Sequence, residues 1–107
     1  MDSFQILRAA KRIPYFKGVF MRNELRKPPR RNESLIINLD SNKGPGTHWV
    51  AVKKRGSKII YFDPFGIQPP KEVIRYYKPN PVYYYRDQVQ KLNASNCGRL
   101  CLAFLKK

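Results

Sequence analysis

The segment around Cys97 places a thiol where a nucleophile is chemically favoured. Ser95 and Asn96 are residue types that cap helix N-termini, and the run "CGRLCLAFL" that follows is apolar at helical spacing. Cys97 is therefore predicted at a helix start, where free amides act as about half a positive charge and stabilise a thiolate. The alternative is a core cysteine, which is our interpretation of Cys101, one turn further along.

His48 is the only imidazole in the sequence that could accept the proton of such a thiol. It opens the segment "HWVAVKK", and Asp63 ends the alternating segment "KIIYFD". The intervening "RGS" predicts an antiparallel hairpin in which Lys53 faces Lys58, and this register brings His48 and Asp63 to the same end of the ladder. A carboxylate there would fix the tautomer of the imidazole and stabilise its cation. The alternatives are a structural strand histidine and a turn aspartate before proline.

A thiolate that attacks a carbonyl also needs hydrogen-bond donors for the developing oxyanion. Gln90, seven residues before Cys97 in "QVQKLNASNCG", offers a side-chain amide, and the backbone N–H of Cys97 offers a second donor. Gln88 is the weaker candidate, and solvated loop amides are the alternative interpretation of both glutamines.

Hydrophobic periodicity and turn residues predict the elements that would position these groups. Residues 14–33 lose periodicity and gather proline and arginine, so we predict a long basic loop there. The predicted elements are a helix over 2–13, strands over 34–40, 48–54 and 58–63, a helix over 69–78, a strand over 81–86 and the helix that starts at Cys97.

The charge balance points to a polyanionic partner. The 107 residues contain 22 Lys and Arg against 7 Asp and Glu, a net charge of +15. Non-specific nucleic-acid binding is the favoured interpretation, and a solubilising charge is the alternative. The candidate DNA-binding residues are Arg26, Lys27, Arg30, Arg31, Lys53, Lys54 and Arg55.

Length and cysteine content narrow the class of protein further. A chain of this length predicts one domain over 1–107. Two cysteines one helical turn apart, with one histidine, are too few for a closed zinc site and favour reduced thiols, so no metal is expected. No apolar run is long enough to span a membrane, and no leader is apparent, so we expect a protein that is not secreted.

Three motifs together resemble the adenovirus-type cysteine proteases, the adenain family, whose clan also holds the proteases of ubiquitin-like proteins. They are "GTHWVAV", "YFDPFG" and "QVQKLNASNCGRLC", and the early "PYFKG" is similar as well. The resemblance implies that His48 is the base, Asp63 its orienting acid, Cys97 the nucleophile and Gln90 the oxyanion donor. It also implies a papain-like arrangement in permuted order.

The same resemblance implies a substrate-binding role for Trp49, Gly46 and Asn96, with Trp49 shielding the thiolate–imidazolium pair. A core tryptophan is the alternative. Two departures from the family pattern stand out: the sequence is shortened after Cys97, and it has no upstream cysteine for a disulfide-linked peptide activator. A third is Asp63, where many adenoviral enzymes have Glu.

The expected fold is α+β, with a mixed, largely antiparallel sheet flanked by helices. The expected function is a cysteine endopeptidase that processes viral precursor proteins beside small, Gly-containing sites in the virion, host nucleus or host cytoplasm. It would need no chemical cofactor, with DNA as a possible activator. The alternatives are a degenerate DNA-binding packaging protein, which would bind without turnover, and a deconjugase of a ubiquitin-like modifier.

Overall fold

The computed structural model describes residues 2–39, 48–87 and 97–107. Three α-helices and five strands follow one another along these ranges. They are α1 (Ser3–Ala9), β1 (Phe16–Met21), a 3-10 turn (Arg22–Glu24), β2 (Asn32–Asn38), β3 (Trp49–Arg55), β4 (Lys58–Phe62), α2 (Lys71–Tyr77), β5 (Val82–Tyr84) and α3 (Cys97–Lys106).

The five strands form one mixed sheet in the order β1-β2-β3-β4-β5. The two central pairings, β2 with β3 and β3 with β4, are antiparallel, and the two outer pairings are parallel. The predicted α+β class and mixed sheet are thus confirmed. Among the described strands, antiparallel pairing is confined to the centre of the sheet.

Helices cover both faces of the sheet, because strand residues alternate between two cores. One core joins α1 and α3 to one face through residues such as Ile6, Ile36 and Leu105. The other lies on the opposite face and contains Val73 and Tyr77 of α2. The helix that carries Cys97 therefore packs on the α1 side of the sheet.

The predicted loop over 14–33 is wrong in part, because it contains β1. All six residues of β1 are partly buried, so the strand lacks the alternation that marks a half-buried strand in sequence. It also pairs in parallel with β2 and shifts register between Phe16 and Gly18, where Gly18 has φ +147°. A parallel edge strand needs no hairpin turn, so no local turn residue indicates it in the sequence.

Two other local predictions need correction. Helix α1 ends at Ala9 rather than at residue 13, and Ile13 instead closes a turn by donating its N–H to the Ala10 carbonyl (3.0 Å). In the β3–β4 hairpin, Lys58 pairs with Arg55 and not with Lys53. The turn needs only two residues because Gly56 has φ +61°, which a tight hairpin turn favours.

Candidate active site

His48 lies immediately before β3 and contacts Asp63 just after β4. The His48 carbonyl accepts the Leu39 N–H (2.9 Å), which fixes its backbone to the chain that follows β2. The His48 Nε2 atom lies 3.1 Å from Asp63 Oδ1, and its ring meets Phe65 edge-on at 5.0 Å between centroids. The predicted proximity of His48 and Asp63 is confirmed despite the different register, because both still lie at the end of the hairpin opposite its turn.

The turn that follows β4 holds the Asp63 carboxylate in place. Oδ1 accepts the Phe65 N–H (2.8 Å), and the Asp63 carbonyl accepts the Gly66 N–H (2.8 Å). The side chain is fully buried, and Oδ2 has no hydrogen-bond partner among the described residues. A carboxylate so far removed from water gains most from a cation, which a protonated His48 would supply.

Cys97 is the first residue of α3, and its thiol reaches the strand that follows His48. Its Sγ accepts the backbone N–H of Trp49 at 3.4 Å, and the residue is only 3% exposed. Since the Trp49 nitrogen is two covalent bonds from the His48 Cα, Sγ lies within about 6 Å of that atom. The thiol therefore lies near the His48 backbone, at the same end of the sheet as the His48–Asp63 contact.

Gly66 packs the turn after Asp63 against the segment that follows β5. It has φ +71°, and a Cβ atom there would lie 2.4 Å from the Arg86 carbonyl oxygen and 2.9 Å from the Asp87 carbonyl carbon. Only a residue without a side chain fits both the backbone angle and this approach. The "DPFG" motif thus carries a packing role in addition to its carboxylate.

Several predicted site residues lie outside the described part of the chain: Gln88, Gln90, Gly46 and Asn96. Trp49 is described, and the residue is 3% exposed in the same core cluster as Cys97. It can shield the thiol but offers little surface to a substrate. The Trp49 peptide N–H was not predicted as a thiol partner, because no residue type signals a backbone donor.

The predicted DNA-binding residues divide into a group with hydrogen bonds inside the chain and an exposed group. Lys54 is 8% exposed and donates to the Arg31 and Gly56 carbonyls (3.2 and 2.6 Å). Arg55 donates to the Glu33 and Lys54 carbonyls (3.3 and 2.8 Å). These contacts give two of the predicted DNA-binding residues a role in the fold.

Lys53 also has partners within the chain. Its ammonium donates to the Lys107 carbonyl (2.9 Å) and lies 5.1 Å from the centroid of the Phe104 ring. Desolvation, with Arg55 and Lys107 as nearby charges, lowers the pKa of Lys53. The exposed group consists of Arg26, Lys27, Arg30 and Arg31, which we call the basic segment.

Buried Glu33 anchors the basic segment. Its Oε1 accepts the Arg30 N–H (2.8 Å) and the Lys17 ammonium (3.1 Å), and its Oε2 accepts the Tyr77 hydroxyl (2.8 Å). The Tyr76 hydroxyl donates to the Lys27 carbonyl. The backbone of the basic segment is thereby fixed to β2 and α2, while its side chains face solvent.

Neither a metal cluster nor a membrane span occurs in the part of the chain that the structure describes. Across residues 2–39, 48–87 and 97–107, no three His, Cys, Asp or Glu side chains are grouped so that they could hold a metal. The helices in the same ranges are too short and too polar to cross a bilayer.

The proteins that this chain resembles are viral cysteine proteases. Over 54 residues it is 43% identical to a cysteine protease of African swine fever virus, a match that covers 47% of this chain and 20% of the relative. No family model matches the sequence.

The structural likeness is to the pS273R protease of the same virus. Its crystal structure superposes with a TM-score of 0.63 at 22% identity, covering 98% of this chain and 55% of that one. A selenomethionine crystal structure of that protease gives a TM-score of 0.52 at 27% identity, covering 75% and 35%. The chain thus has the fold of part of a viral cysteine protease and spans about half of the crystallised relative's length.

Proposed function

We propose that this chain is a cysteine endopeptidase of the adenain-related type, with Cys97 as nucleophile, His48 as base and Asp63 as orienting acid. One observation carries the proposal: His48 Nε2 lies 3.1 Å from Asp63 Oδ1, and the residue that follows His48, Trp49, donates its N–H to the Cys97 thiol. The similarity to a viral cysteine protease supports it. Because the chain spans only part of that relative, the activity of the whole protein belongs to the proposal.

The first step is proton transfer from the thiol to the imidazole. With Nε2 directed at Asp63, Nδ1 is the nitrogen that accepts the proton of Cys97. The imidazolium that forms is stabilised by the buried carboxylate, and the thiolate is stabilised by the Trp49 N–H and the amides at the start of α3.

The thiolate then attacks the scissile carbonyl carbon, and the C–N bond breaks as the imidazolium protonates the leaving amine. The thioester that forms at Cys97 is hydrolysed by water with His48 again as base. Gln90 and the Cys97 N–H would stabilise the oxyanion in both steps. A motif resemblance assigns Gln90 this role, and the assignment is part of the proposal.

The proposed substrates are viral precursor proteins cleaved beside small residues such as Gly-Gly. Substrate, virion location and host compartment all follow from the family resemblance. Peptides spanning a Gly-Gly bond should be cleaved by the wild type but not by Cys97→Ala or His48→Ala. Turnover by folded Cys97→Ala would refute the assignment of the nucleophile.

The two alternatives give different results in the same assay. Cleavage of a folded ubiquitin-like modifier, but not of unstructured Gly-Gly peptides, would favour a deconjugase. DNA binding without cleavage of either substrate would favour a degenerate packaging protein.

We further propose that the basic segment binds DNA without sequence preference, and that DNA can serve as an activator. The Arg31 carbonyl accepts the Gly56 N–H (2.9 Å), so the segment adjoins the β3–β4 turn. The turn and His48 are separated by the seven residues of β3, about 23 Å at about 3.3 Å per residue. DNA held there would not cover the end of the sheet at which His48 lies.

Salt dependence tests this DNA-binding surface. Arg30→Gln/Arg31→Gln should lower the slope of log K against log salt by about 2, since each phosphate contact adds roughly 0.9. Lys71→Gln/Arg75→Gln, which removes two exposed charges from α2, is the matched control and should leave the slope almost unchanged. Equal effects of both pairs would indicate attraction by net charge alone.

A further inference from the structure

The two cysteines of α3 bind the two backbone polar groups of one residue of β3, Trp49. Cys97 Sγ accepts the Trp49 N–H at 3.4 Å, and the Cys101 thiol donates to the Trp49 carbonyl at 3.3 Å. Cys101 is fully buried in the cluster that also contains Cys97 and Trp49. The sequence had suggested only a core role for Cys101.

Strand geometry explains why thiols occupy this position. Because the His48 carbonyl accepts the Leu39 N–H, the backbone of His48 faces β2, and that of Trp49 faces the β4 side. Extending the β3–β4 register by two residues sets Trp49 opposite Pro64. Proline has no N–H, so it cannot donate to the Trp49 carbonyl, and the Cys101 thiol donates there instead.

The state of Cys101 suits a donor. Burial raises the pKa of the Cys101 thiol well above its ordinary value, and the nearby Cys97 and Asp63 raise it further. Cys101 therefore keeps its proton at neutral pH, where a nucleophile at Cys97 would work. Two chemically identical side chains one turn apart thus have opposite tasks: one donates and the other accepts.

We propose that Cys101 is a positioning residue for the Cys97–His48 pair. By holding the Trp49 carbonyl, it fixes the backbone of the residue whose N–H binds Cys97 Sγ and which directly follows His48. It thereby sets the separation of thiol and imidazole. The catalytic consequence rests on the proposed protease function, whereas the effect on the thiol itself does not.

The test compares Cys101→Ala, Cys101→Ser and Leu105→Ala. Leu105 is 1% exposed in the same helix and cluster, so Leu105→Ala is a control for general loss of packing. Cys101→Ser keeps a donor that can replace the thiol. The rate of Cys97 alkylation by iodoacetamide at pH 7 is measured by mass spectrometry after trypsin digestion, because Arg99 separates the two cysteines into different peptides.

Loss of the Cys101 donor should slow Cys97 alkylation about three- to tenfold, the loss expected of one hydrogen bond. Hydrogen exchange of the Trp49 amide should accelerate by a similar factor relative to the Val52 amide in the middle of β3. Cys101→Ser should restore both values to within about twofold of wild type. Leu105→Ala should leave both near wild type.

Two results distinguish failure of the positioning role from failure of the proposed protease function. If Cys101→Ala and Leu105→Ala change alkylation and Trp49 exchange equally, Cys101 is a packing residue and the positioning role is wrong. If Cys101→Ala alone changes them while the wild type cleaves no Gly-Gly peptide, the positioning of the thiol stands and the proposed protease function fails.

Discussion

Asp63→Asn removes the negative charge beside His48 and keeps the shape of the side chain. The amide oxygen can still accept the Phe65 N–H that now binds Oδ1 at 2.8 Å. What disappears is the attraction between the carboxylate and the imidazolium that forms when Cys97 loses its proton. The variant therefore isolates the electrostatic part of the proposed mechanism.

The geometry sets the magnitude of this loss. Two unit charges 3.1 Å apart attract by about 5 kcal/mol at an effective dielectric constant of about 20. The His48 side chain is 24% exposed, and asparagine still accepts a hydrogen bond, so we expect about half of this energy, 2–3 kcal/mol, to be lost. The rate of thioester formation should fall about 30- to 150-fold.

Single-turnover acylation with a Gly-Gly ester or peptide measures this rate directly. The control is Glu72→Gln, which removes the same charge from a partly exposed ion pair with Arg22 (3.7 Å) on α2 and should change the rate less than about twofold. A loss below about threefold in folded Asp63→Asn, or an equal loss in both variants, would refute the role of Asp63 as the orienting acid.

Tyr77→Phe should lower the free energy of unfolding by about 1–3 kcal/mol because buried Glu33 loses its 2.8 Å hydroxyl donor. Tyr61→Phe should be neutral or stabilising, since its buried hydroxyl has no partner among the described residues; equal losses in urea denaturation would contradict this contrast. Burial raises the pKa of both tyrosines above their ordinary value of 10.0, so the folded phenols stay neutral where the unfolded ones ionise. The contribution of these two phenols to stability should therefore be constant at neutral pH and fall above pH 10.0 by about 1.4 kcal/mol per pH unit for each tyrosine, with a smaller slope in Tyr61→Phe; an unchanged slope would count against burial as the cause. Gly66→Ala should lower the free energy of unfolding by about 2–3 kcal/mol, and Gly56→Ala, with φ +61° but nothing within 4 Å of its Cβ, by about 1 kcal/mol. Similar losses in the two glycine variants would show that the close contact at Gly66 is relieved easily.

The proximity of His48 and Asp63 was predictable because it depends on local signals. A short turn between two alternating segments predicts a hairpin, and residues at its open end meet whichever nearby register is adopted. The exact register of the hairpin was not predictable, and the predicted one was wrong by two residues. It depends on Gly56 adopting a positive φ, which the three letters "RGS" permit but do not require.

Features that depend on contacts between distant parts of the chain were not predictable, for a different reason. Strand β1 pairs in parallel with β2, and its residues are partly buried throughout, so neither a turn nor an alternating pattern marks it. The partner of Cys101 is a backbone carbonyl 52 positions away in the chain. Hydrophobic periodicity places a thiol in a core, but it cannot show which main-chain atom the thiol meets.

The most direct test of the central claim is to label the chain with a peptide probe that ends in a Gly-Gly electrophile and to locate the adduct by mass spectrometry. The proposed site predicts one adduct, at Cys97, formed by the wild type and lost in His48→Ala, while Cys101 stays unmodified in both. An adduct on Cys101, or equal labelling of Cys97 with and without the His48 imidazole, would contradict the assignment of Cys97 and His48 as nucleophile and base.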